Sequence, residues 1–263
     1  MTERSLIFLD LDMTLWDHEL QIPKSAAVSI EKTVEKGNLV FLNTGRSRGN
    51  THYENLEALP LSGMICACGG HIELDKKILK ETLVPWEKVK KALSIFKEEN
   101  MPVVVEGRDA HFMNREDFHN DPYVETLWSR LGPYAHSLSE LTCDFAVNKF
   151  SCDITEKTDF ERVQAILSDD FDFINHNGIV VEIIPKGLSK AKGILDLLSF
   201  TKDSPERVFA FGDGMNDLEV IESAAHSIAM GNAAPLIKEK ADFVTTDIHE
   251  DGLKNAFLHF HLI

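Results

Sequence analysis

Two short apolar runs, one at each end of the chain, both end abruptly in acid, and they constrain the fold more than any other feature. Leu6-Ile7-Phe8-Leu9 runs into Asp10-Leu11-Asp12, and Val208-Phe209-Ala210-Phe211 runs into Gly212-Asp213. A continuous apolar run, as opposed to an alternating one, reads as a strand buried on both faces, the situation of a parallel strand covered by helices. Carboxylates at the ends of such strands are costly to bury unless a cation or donors compensate them. Open α/β sheets hold their ligands at these carboxyl ends.

The intervening sequence supports this reading. Pro23 opens a helical segment through Val28, Ile30 and Val34 that stops at Gly37, and a second apolar run, Leu39 to Leu42, ends in Asn43-Thr44-Gly45-Arg46. Strand, helix and strand in that order form a βαβ unit. Towards the C-terminus a helix is predicted to begin near Asn216, followed by a strand at Ser227 to Met230, a helix at Pro235 to Lys240 and a strand at Asp242 to Val244.

The middle reads differently. Helices are predicted over Trp86 to Asn100, Asp121 to Leu131 and Asp159 to Leu167, and extended segments at Val103 to Val105 and Phe145 to Ile154. Asn177-Gly178 is a hairpin signal between Asp172-Phe173-Ile174 and Ile179-Val180-Val181. The expected fold class is therefore α/β, a Rossmann-like parallel-sheet core over residues 1–80 and 187–263 with an α+β module inserted at 81–186. At roughly 150 residues per domain, a length of 263 residues fits one large domain or two modest ones.

Charge limits the partners. With 43 Asp and Glu against 27 Lys and Arg, the formal net charge is −16, which disfavours nucleic-acid backbones and anionic membrane surfaces. No stretch reaches the roughly 20 apolar residues of a membrane span. The opening Met1-Thr2-Glu3-Arg4-Ser5 lacks the pattern of a secretion signal, and the four cysteines show neither zinc nor disulfide spacing, so ordinary buried thiols and a cytoplasmic protein are expected. Histidines such as His259 and His261 show no ligand spacing.

The chemistry concentrates in few residues. In a strand, Asp10 and Asp12 would project to the same side, and two carboxylates together suit a hard divalent cation such as Mg²⁺. Alone, that pair fits an ordinary strand-end turn. The run Gly212-Asp213-Gly214-Met215-Asn216-Asp217 supplies two more carboxylates after a second apolar strand, and convergence of the two clusters would build an anionic pocket that needs a metal. Thr44-Gly45 offers a hydroxyl and an unobstructed N–H suited to phosphate oxygens. Lys190 offers a point cation at a helix start. Taken singly, Thr44 reads as a turn residue and Lys190 as a solvated lysine.

Together these residues carry a resemblance. Asp10-Leu11-Asp12-Met13-Thr14-Leu15, Asn43-Thr44-Gly45-Arg46, Gly187-Leu188-Ser189-Lys190 and Gly212-Asp213-Gly214-Met215-Asn216-Asp217 are similar, in order and spacing, to the four motifs of the haloacid dehalogenase superfamily of phosphohydrolases. Within it the chain resembles the Cof-type sugar-phosphate-phosphatase-like group, and the similarity continues through Ala229-Met230-Gly231-Asn232-Ala233, Lys240-Ala241-Asp242 and Glu250-Asp251-Gly252. Met13 departs from the pattern where the family usually has Gly, as does Cys68-Gly69-Gly70 where it usually has Asn-Gly.

The resemblance implies a Mg²⁺-dependent phosphatase acting on a small phosphate ester, with Asp10 as nucleophile and Asp12 as acid and base. It further implies metal ligation by Asp10, the Asp12 carbonyl, Asp213 and Asp217, phosphoryl binding by Leu11, Thr44, Gly45, Lys190 and Asn216, and the insertion as a cap that selects the substrate. A phosphomutase on the same motifs and a non-catalytic phosphometabolite-binding protein are the competing readings. Arg46 is expected in a structural ion pair, with orientation of the Thr44 loop as the alternative, and Arg108, His111, Asn114 and Arg115 on a solvated loop, with contact to a substrate's hydroxyls as the alternative.

Overall fold

The computed structural model describes residues 4–119, 121–176 and 178–263. In chain order the strands are β1 (Leu6–Leu9), β2 (Leu39–Asn43), β3 (Gly63–Cys66), β4 (His71–Leu74), β5 (Lys77–Glu81), β6 (Val103–Gly107), β7 (His111–Met113), β8 (Ala135–His136), β9 (Val147–Asp153), β10 (Phe171–His176), β11 (Val180–Pro185), β12 (Val208–Gly212), β13 (His226–Ala229) and β14 (Phe243–Val244). The helices are α1 (Lys24–Glu35), α2 (Glu54–Glu57), α3 (Trp86–Glu98), α4 (Pro122–Leu131), α5 (Phe160–Leu167), α6 (Lys190–Thr201), α7 (Leu218–Ser223), α8 (Pro235–Lys240) and α9 (Gly252–His259). They fall into two compact units. One comprises Met1–Gly45, His52–Glu81 and Ser189–Ile263; the other comprises Arg46–Thr51 and Thr82–Leu188.

The first unit is built on a sheet ordered β14-β13-β12-β1-β2-β3-β4-β5. Alternation along a strand explains its two cores. Ile7 and Leu9 of β1 pack with Ile30, Leu253 and Phe257 on one face, while Leu6 and Phe8 pack with Ala191, Ile194 and Leu197 of α6 on the other. The run Leu6 to Leu9 is wholly buried, which accounts for its lack of polar alternation. The sheet is parallel from β14 to β3, but β4 and β5 add an antiparallel edge. Asp75 and Lys76, both at positive φ, make the tight turn between them, a two-residue connection that only an antiparallel pair allows.

The second unit carries a sheet ordered β10-β11-β9-β6-β7-β8. On one face Val103, Val105, Phe150, Cys152, Val181 and Ile183 pack with residues of α3 and α5 around Val89, Phe96 and Val163. Part of the opposite face, at Val104 and Met113, is covered by Val124, Leu127 and Leu131 of α4. Of the hairpin signal between β10 and β11, Asn177 lies outside the described residues and Gly178 takes a φ of 75°.

This unit also takes in Arg46–Thr51, a segment from the opening half of the chain. Ser47, fully buried, donates to Glu106 Oε2 (2.8 Å) and meets His111 Nε2 at 2.9 Å. A side chain on Gly49 would lie 2.7 Å from the Gly107 carbonyl, so only glycine lets the segment approach this closely. His111 is therefore no solvated loop residue: it sits in β7 with no exposure. Arg108 and Arg115 do lie outside the core, pairing with Asp109 and Glu125, and Asn114 donates to Asp117. Arg46 reaches Asn50 at 3.4 Å.

Candidate active site

Strand order assembles the candidate site. β12, β1 and β2 are parallel neighbours, with Leu9 opposite both Phe211 and Leu42. The residues that follow them, Asp213, Asp10 and Thr44, therefore leave the sheet side by side at its carboxyl edge. The Asp10 N–H extends the ladder by one bond, donating to the Phe211 carbonyl at 3.2 Å.

Asp10 does not share a strand with Asp12, contrary to the expectation from spacing. β1 ends at Leu9, and the chain turns back on itself, with Leu15 N–H and Trp16 N–H both donating to the Leu11 carbonyl and Met13 N–H to the Trp16 carbonyl. Met13 takes a φ of 59°, the left-handed conformation that glycine adopts without cost. Its carbonyl accepts from Asn232 Nδ2 at 2.7 Å, which holds the departure in place. Asp12 accepts from the Trp16 indole at 3.0 Å.

Lys190 lies between carboxylates. Its Nζ donates to Asp10 Oδ1 at 2.6 Å and to Asp217 Oδ1 at 2.7 Å, and all three residues are buried. Burial alone would depress the lysine; the charges of Asp10 and Asp217 outweigh it and hold the ammonium above its ordinary value. Burial, reinforced by the charge of Asp217, pushes the Asp10 carboxyl well up against the pull of Lys190. Burial and Asp217 likewise raise Asp213 to about 6, although Thr14 donates to it at 3.0 Å.

The remaining carboxylate oxygen of Asp217 closes the second motif, accepting from the N–H groups of Asp213 (3.1 Å) and Gly214 (3.2 Å). A side chain at Gly212 would meet Asp217 Cγ at 2.6 Å. Met215–Asp217 forms a single tight turn before α7, so the helix starts at Leu218, later than predicted, and Asn216 is exposed. Thr44 is buried; its N–H bonds the Ile65 carbonyl and its own carbonyl accepts from Cys68. The Leu11 side chain is buried completely, so it offers a ligand only its backbone.

Lys190 owes its position to glycines. Ser189 caps α6 by accepting from Lys192 N–H. One turn on, a side chain at Gly193 would lie 2.5 Å from Ile65 Cγ2 and 3.0 Å from the Gly69 Cα, and one at Gly69 would lie 2.5 Å from the Ser189 carbonyl. The helix start is thus pressed against the turn after β3, and this close approach carries the lysine into the site. Thr14, Trp16, Asn232 and Gly193 received no role from the sequence; the glycine inside a helix was the available signal.

Asp10, Asp213 and Asp217 each offer an oxygen within 4.8 Å of the others. Three carboxylates held this close with one ammonium leave excess negative charge, and an all-oxygen donor set suits a hard divalent cation. The cluster could bind a metal.

Residues 7–257 match the family model of the haloacid dehalogenase-like hydrolases. The chain belongs to that family. It is 29% identical over 263 residues to YkrA of Bacillus subtilis, which bears a provisional phosphatase name, with 99% of each chain covered. It is 28% identical over 264 residues, 96% of each chain, to YitU of the same organism, named a 5-amino-6-(5-phospho-D-ribitylamino)uracil phosphatase. Among solved structures, the subclass IIB sugar phosphatase BT4131 superposes with a TM-score of 0.79 at 24% identity, covering 98% of this chain and 100% of that one. The chain is accordingly a phosphoric monoester hydrolase of this superfamily, acting on small phosphorylated substrates. Among the described residues no helix is long and apolar enough to cross a membrane.

Proposed function

We propose that this chain hydrolyses a small phosphorylated metabolite, a sugar phosphate or similar monoester, through an aspartyl-phosphate on Asp10. The observation that carries the reading is the ammonium of Lys190 fixed between Asp10 and Asp217 in a buried acidic cluster. A carboxylate approaching an anionic phosphate is repelled, so the chemistry needs fixed positive charge at the point of attack.

In the first step an oxygen of Asp10 bonds to phosphorus as the ester P–O bond breaks, and the proton of Asp12 passes to the departing oxygen. In the second step water bonds to phosphorus, its proton passes to Asp12, and the acyl-phosphate bond breaks to restore Asp10 and release inorganic phosphate. Thr44, Gly45, the Leu11 backbone, Lys190 and Asn216 would hold the phosphoryl oxygens. Asp10, Asp213, Asp217 and the Asp12 carbonyl would hold Mg²⁺, which when bound would offset the phosphoryl charge and align the ester. The inserted module at residues 81–186 would act as the cap that selects the leaving group.

Purified protein is expected to release phosphate from para-nitrophenyl phosphate, with activity abolished by a chelator and by Asp10→Asn. Turnover that survives either treatment would overturn the mechanism. Free phosphate as product supports hydrolysis, and isomerised sugar phosphate without release would establish a mutase instead.

A further inference from the structure

We propose that Trp16 is a positioning residue for the leaving-group acid, its indole N–H fixing one oxygen of Asp12 so that the other carries the transferable proton. The inference rests on the reading of Asp12 as acid and base. Trp16 is completely buried, and its Nε1 donates to Asp12 Oδ1 at 3.0 Å. The contact is one side of a closed loop. Trp16 N–H donates to the Leu11 carbonyl at 3.1 Å, the Trp16 carbonyl accepts from Met13 N–H at 2.8 Å, and Asp12 and Trp16 form an isolated backbone bridge. The ring cannot turn away, because Tyr53 packs edge-on against it with centroids 4.7 Å apart.

An indole N–H can only donate. A protonated carboxyl accepts best through its carbonyl oxygen, so while Oδ1 receives the indole hydrogen the acidic proton rides on Oδ2. The same bond remains when Asp12 is a carboxylate, and Oδ2 is then the oxygen that takes the proton from water. The indole N–H can thus hold this carboxylate oxygen in both halves of the reaction. Met13, next in the chain, is pinned separately by Asn232, so the backbone stays in place if the indole hydrogen is lost.

The test replaces Trp16 site-specifically with benzothienylalanine, which keeps the bicyclic shape and lacks the N–H, alongside Trp16→Phe and Asp12→Asn. kcat/KM is measured on para-nitrophenyl phosphate, whose leaving group departs without protonation, and on glycerol phosphate, whose alkoxide requires it. Because kcat/KM reports events up to departure of the leaving group, the shared hydrolysis of the phosphoenzyme does not enter. General acid catalysis contributes about 10²–10⁴-fold. The isostere is expected to lose about tenfold or more on glycerol phosphate and less than about threefold on the aryl ester, with an unchanged melting temperature.

Wild-type kcat/KM on glycerol phosphate in the isostere, with Asp12→Asn showing the alkyl-selective loss, would overturn the role of Trp16. An equal loss on both esters would also overturn it, marking Trp16 as packing alone. If Asp12→Asn itself loses both esters alike, the acid reading of Asp12 fails, a result distinguishable because Trp16 is untouched in that variant.

Discussion

Replacing Lys190 with methionine removes the cation from between Asp10 and Asp217 while keeping much of the side chain's volume. Its Nζ lies 2.6 Å and 2.7 Å from their oxygens, and none of the three side chains has more than 6% of its surface exposed. Breaking a buried pair by removing one partner costs about 3–5 kcal/mol, because the remaining charge stays desolvated. Here two buried carboxyls lose their shared cation. The metal-free variant is therefore expected to unfold with about 3–5 kcal/mol less stability near neutral pH, equivalent to a melting temperature lower by roughly 10 °C for a chain of this size.

The sign with pH follows from Asp10. Its carboxyl is held above the ordinary range by burial and by Asp217, so the folded state binds that proton more tightly than the unfolded chain, and stability is gained as pH falls through the folded value towards the ordinary carboxylate range. Loss of Lys190 raises the carboxyl further, and the deficit should shrink in acid. Denaturant titration in chelator at neutral and acid pH measures both effects. A variant as stable as the parent at neutral pH, or a deficit that grows in acid, would refute the reasoning.

Other expectations follow from the same geometry. Asp213, raised to about 6 mainly by burial, must lose its proton to bind a cation, so Mg²⁺ affinity by calorimetry should weaken about tenfold per pH unit below that value. Gly193→Ala should overpack Ile65 and Gly69, costing about 1–3 kcal/mol by denaturant titration and lowering turnover through displacement of Lys190. Met13→Gly should relieve a left-handed backbone at φ 59° and raise stability by about 1 kcal/mol, read as a higher melting temperature. Ser47→Ala leaves buried Glu106 short of a donor and should cost about 1–3 kcal/mol in the same titration.

The sheet at the centre of the first unit was legible because β1 and β12 are continuous apolar runs, and only a strand covered on both faces needs such a sequence. The antiparallel edge at β4 and β5 was less so: Lys77, Lys80 and Glu81 alternate weakly, and the turn at Asp75-Lys76 uses positive φ without glycine. Within the site, motif spacing pointed to the acidic residues and to Lys190. It did not show that Lys190 is buried, because a lysine at a helix start is solvated unless something distant closes over it; Gly69, more than a hundred residues away in sequence, does so.

His111 was misplaced for a related reason. A three-residue strand among charged neighbours gives little periodic signal, and its burial depends on Ser47 and Gly49, which arrive from another part of the chain. The loop from Asp10 to Trp16 illustrates the limits of spacing in the other direction. Two carboxylates two residues apart suggested a shared strand face, but bonds from Leu15 and Trp16 to the Leu11 carbonyl fold the segment back, and the tryptophan gave no polar signal of its own.

Hydrolysis by this route requires that phosphorus bond to Asp10 during turnover. Acid quenching of the protein during hydrolysis of para-nitrophenyl phosphate, followed by digestion and mass spectrometry, tests it directly. A phosphoryl group is expected on the peptide spanning Asp10, localised to that residue and absent from Asp10→Asn. Phosphorylation of a different side chain, with Asp10→Asn still turning over, would contradict it.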